Sequence, residues 1–373
     1  MSRDDPALPS IGIVMHDFAL GGTERIATRL AARWAEEGAQ VRIFCGSGEG
    51  DMRGLLGGRV EVVEASPPIA RGFGSRTSLG RAAARHFSER PVDVVFLPGN
   101  FHWPIAPALA ALPRDRRPAI AVQVSATLSK PQRRTLQQKL FEWRMRHLLR
   151  DAQAVITLSA AATEEAERIL GRPVVCTIPL PALGDARVPP KPVPDDSRII
   201  LAVGRLVPEK GFDTLIEAFA ALPDPAAELV IVGEGPDRPR LEGLIARHQL
   251  AGRVTLPGFV SDTRGWLDKA RLAAMPSRFE GYPAVLVEAF AAGRPAVATA
   301  CTPATAELID TPAAGRVVEV DDRAGMTAAL QAMLDAPVSD PAKLAARVER
   351  HRIGPVARAY LALFQGLSVA TRP

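Results

Sequence analysis

Two acidic residues, Glu280 and Glu288, bracket a Gly281-Tyr282-Pro283 turn in the run PSRFEGYPAVLVEAFAAGRPAVAT, residues 276–299. Carboxylates accept hydrogen bonds only, so the pair suits the hydroxyls of a sugar or a ribose. The residues between them read as a short helix. Pro283 is expected at its first helical position, where a missing N–H costs nothing, and Gly293 at its C-terminal cap. The amides of Ala284, Val285 and Leu286 are then expected to be free and to face an anion such as a diphosphate. Glu288 falls on the helical face of Ala284 and Val285, while Leu286, Val287 and Phe290 pack inward. Taken alone, the pair is also what a capped amphipathic helix with solvated glutamates offers.

A second segment adds cations. In LAVGRLVPEKGFDTLIEAFA, residues 201–220, a buried strand ends at Gly204 and a turn carrying Arg205 and Lys210 leads into an amphipathic helix. Two cations beyond such a strand suit a diphosphate at the carboxyl edge of a parallel sheet; solvated loop cations are the alternative. Val232-Gly233-Glu234-Gly235-Pro236 and Pro257-Gly258-Phe259-Val260 follow in order.

Over roughly residues 197–310 these four segments resemble the donor half of glycosyltransferase family 4, the retaining GT-B group. Its signature is Glu, seven residues, Glu, then Ala-x-Ala-x-Gly-x-Pro-Val, and it also carries Gly-Arg-Leu, three residues, Lys-Gly. The resemblance implies that Arg205 and Lys210 contact the donor diphosphate and, with Glu280, act in catalysis. It implies that Glu280 holds donor-sugar hydroxyls and Glu288 the ribose. Gly233, Phe259, Val260, Gly281, Tyr282, Pro283, Ala284 and Val285 would line the rest of the donor site, with the backbone near Phe259 against the base. Near the start, Gly21, Gly22 and Glu24 match the family's Gly-Gly-x-Glu element, whose glycines would face the donor or acceptor; a plain tight turn is the other reading. Many relatives place a histidine after the strand matching AIAVQV (119–124), where this chain has Ser125-Ala126-Thr127. That leaves His16, His102 and Ser125 as acceptor-side candidates, against structural or merely exposed histidines.

The elements that position these residues alternate strand and helix through both halves, which implies an α/β chain with two doubly wound parallel sheets. The family form is GT-B, two Rossmann-like domains facing across a cleft. We expect an acceptor-binding domain over 1–183, a proline-rich linker over 184–197, a nucleotide-sugar domain over 198–352, and a C-terminal helix over 353–373 that packs back on the first domain. At 373 residues, 47% hydrophobic and 23% charged, the chain has the composition of a globular protein with room for two cores. Cys45, Cys176 and Cys301 are odd in number and lie in apolar runs, so buried free thiols in a reducing compartment are expected, not disulfides or a zinc site. No signal peptide is read in MSRDDPALPS, and the uncharged run 94–113 holds Pro98, Pro104 and Pro107, so it reads as strand, loop and helix.

No Asp-x-Asp and no metal-ligand spacing occur, so no metal or other cofactor is expected beyond the nucleotide sugar as substrate. Residues 1–180 carry 24 Lys+Arg against 18 Asp+Glu and the remainder 22 against 23, so the basicity belongs to the first half. Its densest patch is KPQRRTLQQKLFEWRMRHLLR (130–150), where Leu136, Leu140, Trp143 and His147 share a helical face among arginines. That face either rests on an anionic membrane surface or packs on the sheet. Nucleic acid is not an expected partner, for no binding module appears. The expected function is sugar transfer from a nucleotide sugar to a saccharide or lipid-linked hydroxyl acceptor in polysaccharide, glycolipid or cell-envelope synthesis. The expected location is cytoplasmic, either free or peripheral at the inner face of the cell membrane. A nucleotide-sugar epimerase on the same scaffold, or a nucleotide-sugar-binding protein without transfer, are the alternatives.

Overall fold

Thirteen short runs rich in Val, Ile, Leu and Ala form strands, as buried parallel sheets demand. The structure, a computed structural model, describes residues 8–19, 21–126, 128–129 and 133–371. The strands are β1 (Ile11–Met15), β2 (Val41–Cys45), β3 (Glu61–Glu64), β4 (Val94–Leu97), β5 (Ala119–Gln123), β6 (Ala154–Thr157), β7 (Val175–Thr177), β8 (Ile199–Val203), β9 (Glu228–Val232), β10 (Val254–Gly258), β11 (Leu272–Met275), β12 (Ala296–Thr299) and β13 (Gly315–Val318). Helices between them are α1 (Gly22–Glu36), α2 (Ser75–Glu89), α3 (Ala106–Ala110), α4 (Thr135–Leu149), α5 (Ala160–Leu170), α6 (Phe212–Ala220), α7 (Arg238–Arg247), α8 (Arg264–Leu267), α9 (Ala284–Ala291), α10 (Pro303–Leu308), α11 (Arg323–Asp335), α12 (Pro341–Arg347) and α13 (Ile353–Thr371).

The strands build two wholly parallel sheets, in the orders β3-β2-β1-β4-β5-β6-β7 and β10-β9-β8-β11-β12-β13. In each, the chain winds outward from its first strand and then restarts beside it. The direction therefore switches between β1 and β4 (Ile11 opposite Val94) and between β8 and β11 (Leu201 opposite Ala273). Crevices at the carboxyl ends of strands on either side of a switch point are where such sheets bind ligands.

Each sheet is covered on both faces. The first unit comprises residues 1–181 together with 353–373, and the second 182–352. In the first, α13 lies against α1 and the sheet: Trp34 Nε1 donates to the Ala357 carbonyl (3.2 Å), and Gln123 Nε2 to the Tyr360 hydroxyl (3.1 Å). The proline-rich stretch after 181 is held within the second unit. There the wholly buried Arg294 donates to the carbonyls of Lys191 (2.8 Å) and Pro192 (3.3 Å), as well as to those of Leu267 and Asp268.

Within the basic patch 130–150 the helix begins only at Thr135, with the extended Arg134 as its N-cap; 130–132 lie outside the described residues, as do 1–7, Leu20, Thr127 and 372–373. Cys45 is buried, and burial pushes its thiol up to about 12. Cys176 and Cys301 are only half-buried, Cys176 at the centre of the edge strand β7 and Cys301 in the loop two residues past β12; all three thiols are free. The uncharged run 94–113 is β4, a 3-10 turn and α3. Among the described residues no helix is long and apolar enough to cross a membrane.

Candidate donor site at the second switch point

Beyond β8 the backbone passes Gly204 and exposed Arg205, makes a 3-10 turn over Pro208–Lys210, and enters α6 through Gly211. Beyond β11 it runs through Pro276–Pro283 into α9. The two loops are neighbours because β8 and β11 are paired, and their side chains meet. Lys210 Nζ lies 2.5 Å from Glu280 Oε1, and the buried Ser277 hydroxyl donates to that oxygen at 2.8 Å. Lys210 and Glu280 are 24% and 14% exposed, so the charges are sheltered but open to a ligand. The Arg205 guanidinium, by contrast, makes no hydrogen bond or ion pair with any described residue. A cation left without a partner at a ligand edge is available to an external anion.

Arg278 fastens the loops together. Its backbone amide donates to the Glu209 carbonyl (2.8 Å) and its guanidinium to the Pro208 carbonyl (2.6 Å). The same guanidinium grips Asp213 through two bonds (2.9 and 3.0 Å) and reaches Asp321 (2.8 Å). Burial opposes ionisation of Asp213, yet the Arg278 hydrogen bonds prevail and hold its carboxyl below the usual carboxylate range. Neither Ser277 nor this Arg278–Asp213 clamp was anticipated. Ser277 and Arg278 stood inside the quoted run, but no periodicity links Arg278 to an Asp 65 positions away.

The glycines are demanded by backbone contacts. A Cβ on Gly233, whose φ is +149°, would stand 1.8 Å from the Gly204 carbonyl oxygen, and one on Gly211 2.1 Å from that of Pro276. The Gly233 amide donates to Gly258 (2.9 Å), and Gly204 to Val232 (3.0 Å), tying the loop ends of β8, β9 and β10 in one layer. Phe259 follows that layer 74% exposed, and Val260 packs against the core.

The start of α9 differs from expectation. Pro283 caps the helix and is not its first residue: with φ −82° and ψ 68° it centres a tight turn in which the Ala284 amide donates to the Tyr282 carbonyl (2.9 Å). Proline's fixed φ suits that inverse γ-turn. The Leu286 amide donates to the Pro283 carbonyl (3.0 Å), so two of the three amides expected to be free are occupied. Glu288 is half-buried on α9, Leu286, Val287 and Phe290 are buried, and Gly293, at φ +76°, follows the cap. Gly281 is half-buried, and the Tyr282 ring turns to His351, hydroxyl to Nε2 3.3 Å. The second unit thus brings Lys210, Glu280 and Ser277 into contact and gathers Arg205, Gly233, Phe259 and the 281–285 turn along one sheet edge. Tyr282's side chain is engaged elsewhere.

In the first unit, His16 and His102 stand beyond β1 and β4, and both are wholly buried. His102 Nδ1 donates to the Pro98 carbonyl (2.7 Å), and His16 Nε2 lies 3.0 Å from the Ser75 hydroxyl. Their ring centroids are 6.1 Å apart. Burial keeps both neutral, with His102 lowered to about 4. As they stand, neither imidazole is presented to solvent, and each keeps one buried nitrogen, His16 Nδ1 and His102 Nε2, without a hydrogen-bond partner among the described residues. Ser125 is half-buried, its amide donating to Asn100 Oδ1 (2.8 Å). Gly21 caps α1 and Gly22 opens it, a Cβ on Gly22 meeting nothing within 4 Å. Arg71, also unanticipated, binds both Asp17 (2.6 Å) and the buried Glu24 (2.6 Å). Among the described residues no three His, Cys, Asp or Glu side chains gather as metal ligands would.

Comparison with known proteins agrees with this layout. The family described as Glycosyl transferases group 1 matches residues 197–336, and the Glycosyl transferase 4-like domain matches 21–181. Alpha-D-kanosaminyltransferase of Streptomyces kanamyceticus is 32% identical over 52% of this chain and 55% of its own length. The lipopolysaccharide core biosynthesis glycosyltransferase LpsE of Rhizobium meliloti is 38% identical over 28% of this chain and 31% of its own. The chain thus spans about half, or less, of the curated relatives it matches. Among solved structures, sucrose-phosphate synthase of Thermosynechococcus elongatus superposes with a TM-score of 0.77 at 20% identity, over 97% of this chain and 99% of that one. Anabaena HepE, solved in complex with UDP and glucose, superposes at 0.75 and 18% identity, over 96% and 100%. With matches in both units and a GT-B fold, the chain belongs to the group 1 glycosyl transferases.

Proposed function

We propose that the chain is a retaining glycosyltransferase that moves a sugar from a nucleotide-diphosphate sugar to a hydroxyl of a saccharide, glycolipid or polyprenyl-linked acceptor, in cell-envelope polysaccharide or glycolipid synthesis. One observation carries the reading: Lys210, in the loop that also carries the exposed Arg205, is in contact with Glu280 at the switch point of a parallel sheet. The second unit takes the donor and the first the acceptor. HepE's complex with UDP and the lipid-linked acceptor named for a Campylobacter jejuni relative, 36% identical over 37% of this chain, support the substrate classes. Such an acceptor puts the protein at the cytoplasmic face of a membrane, peripherally.

In the reaction the bond between the anomeric carbon and the donor phosphate breaks while the acceptor oxygen bonds that carbon from the same face. The hydroxyl proton goes to the departing phosphate oxygen. Negative charge grows on the diphosphate as this happens, and Arg205 and Lys210 offset it from fixed positions, the kind of electrostatic contribution that dominates many enzymes. Glu280, anchored by Lys210 and Ser277, orients donor hydroxyls, and Glu288 the ribose. Because two cations take the charge-offsetting role, turnover is expected to survive a chelator; loss of activity in EDTA would refute this part.

The test is a thermal-shift panel of uridine, guanosine and adenosine diphosphates and their sugars, followed by product analysis by NMR with the donor that binds. Transfer with the donor's anomeric configuration kept is the expected result. Failure to bind any nucleoside diphosphate overturns the reading, and interconversion of the sugar without transfer replaces it with epimerisation.

A further inference from the structure

Helix α4 has two apolar faces, and the core uses one. Met145 and Leu149 are buried, with Phe141 and Leu148 half-buried beside them. At about 100° per residue the opposite face carries Leu136, Leu140 and Trp143, which are 81%, 64% and 59% exposed. His147 continues the stripe, stacked on Trp143 with centroids 5.6 Å apart and rings 9° from parallel. Exposed cations border it, with Lys139, Arg146 and Arg150 along one side and Arg144 along the other. Lys139 and Arg144 have no partner among the described residues. The helix's sole acid, Glu142, lies toward the core side and is 15% exposed. The sheet-packing alternative for this stripe is therefore excluded: a contiguous apolar face this open marks a contact surface.

We infer that this face docks on an anionic lipid bilayer, its Leu-Leu-Trp stripe in the headgroup–acyl boundary and its bordering cations on lipid phosphates. An apolar stripe with cations on both flanks, whose exposed acid at the C-terminal end, Asp151, is already paired to Arg150, is complementary to such a surface, and tryptophan favours its interface. Topology strengthens the assignment. Since α4 follows β5, it starts at the carboxyl edge of the first sheet, where α2 also starts, preceded by the fully exposed Phe73 between Arg71 and Arg76. The inference deepens the peripheral-membrane part of the proposed function and rests on that reading only for why a bilayer is near.

The test is co-sedimentation of the full chain with vesicles of phosphatidylcholine alone or mixed with phosphatidylglycerol. The protein is expected on the mixed vesicles only, and to be released as salt rises from about 0.05 M to about 0.5 M. Leu140→Glu with Trp143→Glu should lower the bound fraction about tenfold or more, and Lys139→Glu with Arg144→Glu should abolish the preference for anionic lipid. These side chains are exposed, and a melting curve for each variant checks that it folds. Wild-type protein indifferent to vesicles, or variants bound as well as wild type, overturn the inference. A concentration-dependent dimer that the Leu140/Trp143 variant dissolves would assign the face to a second copy instead. Nucleoside diphosphate thermal shifts on the same samples separate the two readings: docking lost with nucleotide response kept sinks only the docking, and the converse sinks only the donor site.

Discussion

Each sheet restarts its winding between its first and fourth strands, yet the side chains beyond those strands differ in kind. In the second unit they are charged and reachable: Lys210 against Glu280, with Arg205 exposed nearby. In the first, two wholly buried imidazoles are kept neutral by their surroundings, and Asp17 beside them is already held by Arg71. The same backbone topology therefore sets an exposed Arg205 beside a Lys–Glu pair at one switch point and neutral rings beside an internal Arg71–Asp17 pair at the other. A site that must meet a diphosphate needs fixed cations already in position, whereas a desolvated neutral ring offers no field to a charged ligand.

The largest test of this contrast removes the charged set. Arg205→Ala, Lys210→Ala and Glu280→Ala are each expected to lower kcat for transfer by about 10²- to 10³-fold, measured by release of the nucleoside diphosphate. The Arg205 guanidinium has no partner among the described residues, so its variant should melt like the parent while losing nucleotide affinity. Near-normal turnover in all three variants would contradict the assigned site. The matching change in the first unit, Ser125→Ala, removes only a hydroxyl near Asn100 and should leave donor binding unchanged.

Next is the backbone layer beneath the cations. Gly233→Ala puts a Cβ into the Gly204 carbonyl at a φ that L-residues rarely adopt. We expect a loss of about 3 kcal/mol or more, read from urea unfolding, with nucleotide binding failing in parallel. A melting point like the parent's would mean the loops of β8 and β9 do not depend on that approach.

How far the sequence disclosed all this depends on what kind of signal each feature leaves. The central strands were legible because a parallel strand buried on both faces is a continuous apolar run, as AIAVQV (119–124) is over β5 (Ala119–Gln123). The contact between Lys210 and Glu280 was legible only through the family resemblance, since 70 positions separate them. Pro283 was misplaced by one position because proline's φ suits both a first helical residue and a γ-turn before it. The outer stripe of α4 was seen but not its direction, because a helix apolar on two faces does not declare which one meets the sheet. Burial of His16 and His102 leaves no local trace at all. It follows from where α2 and the 3-10 turn after β4 come to lie.

The imidazoles supply a third test, through pH. His102 titrates near 6.5 when unfolded and at about 4 when folded, so between these values the unfolded chain binds the extra proton. Stability is then full above about pH 6.5 and falls as pH drops toward 4, by about 3 kcal/mol in all. His16, lowered chiefly by burial and by Arg71, adds loss in the same direction. His102→Gln should flatten the decline while lowering stability at pH 8, and an unchanged slope would show that His102 titrates alike in the folded and unfolded chain.

The smallest expected effect on stability separates fold from function most cleanly. Gly22 opens α1 at the edge beyond β1, and a methyl group there meets nothing, unlike one at Gly233. Gly22→Ala should leave unfolding within about 1 kcal/mol of the parent, or raise stability slightly, since alanine favours a helix over glycine. If the glycine pair exists only to make a turn, transfer should be unaffected as well. If it keeps the backbone open to a ligand, KM for donor or acceptor should rise while the melting curve stays put. A parallel fall in both would return Gly22 to a structural role, and the first unit's switch point would then hold no ligand-facing glycine at that position.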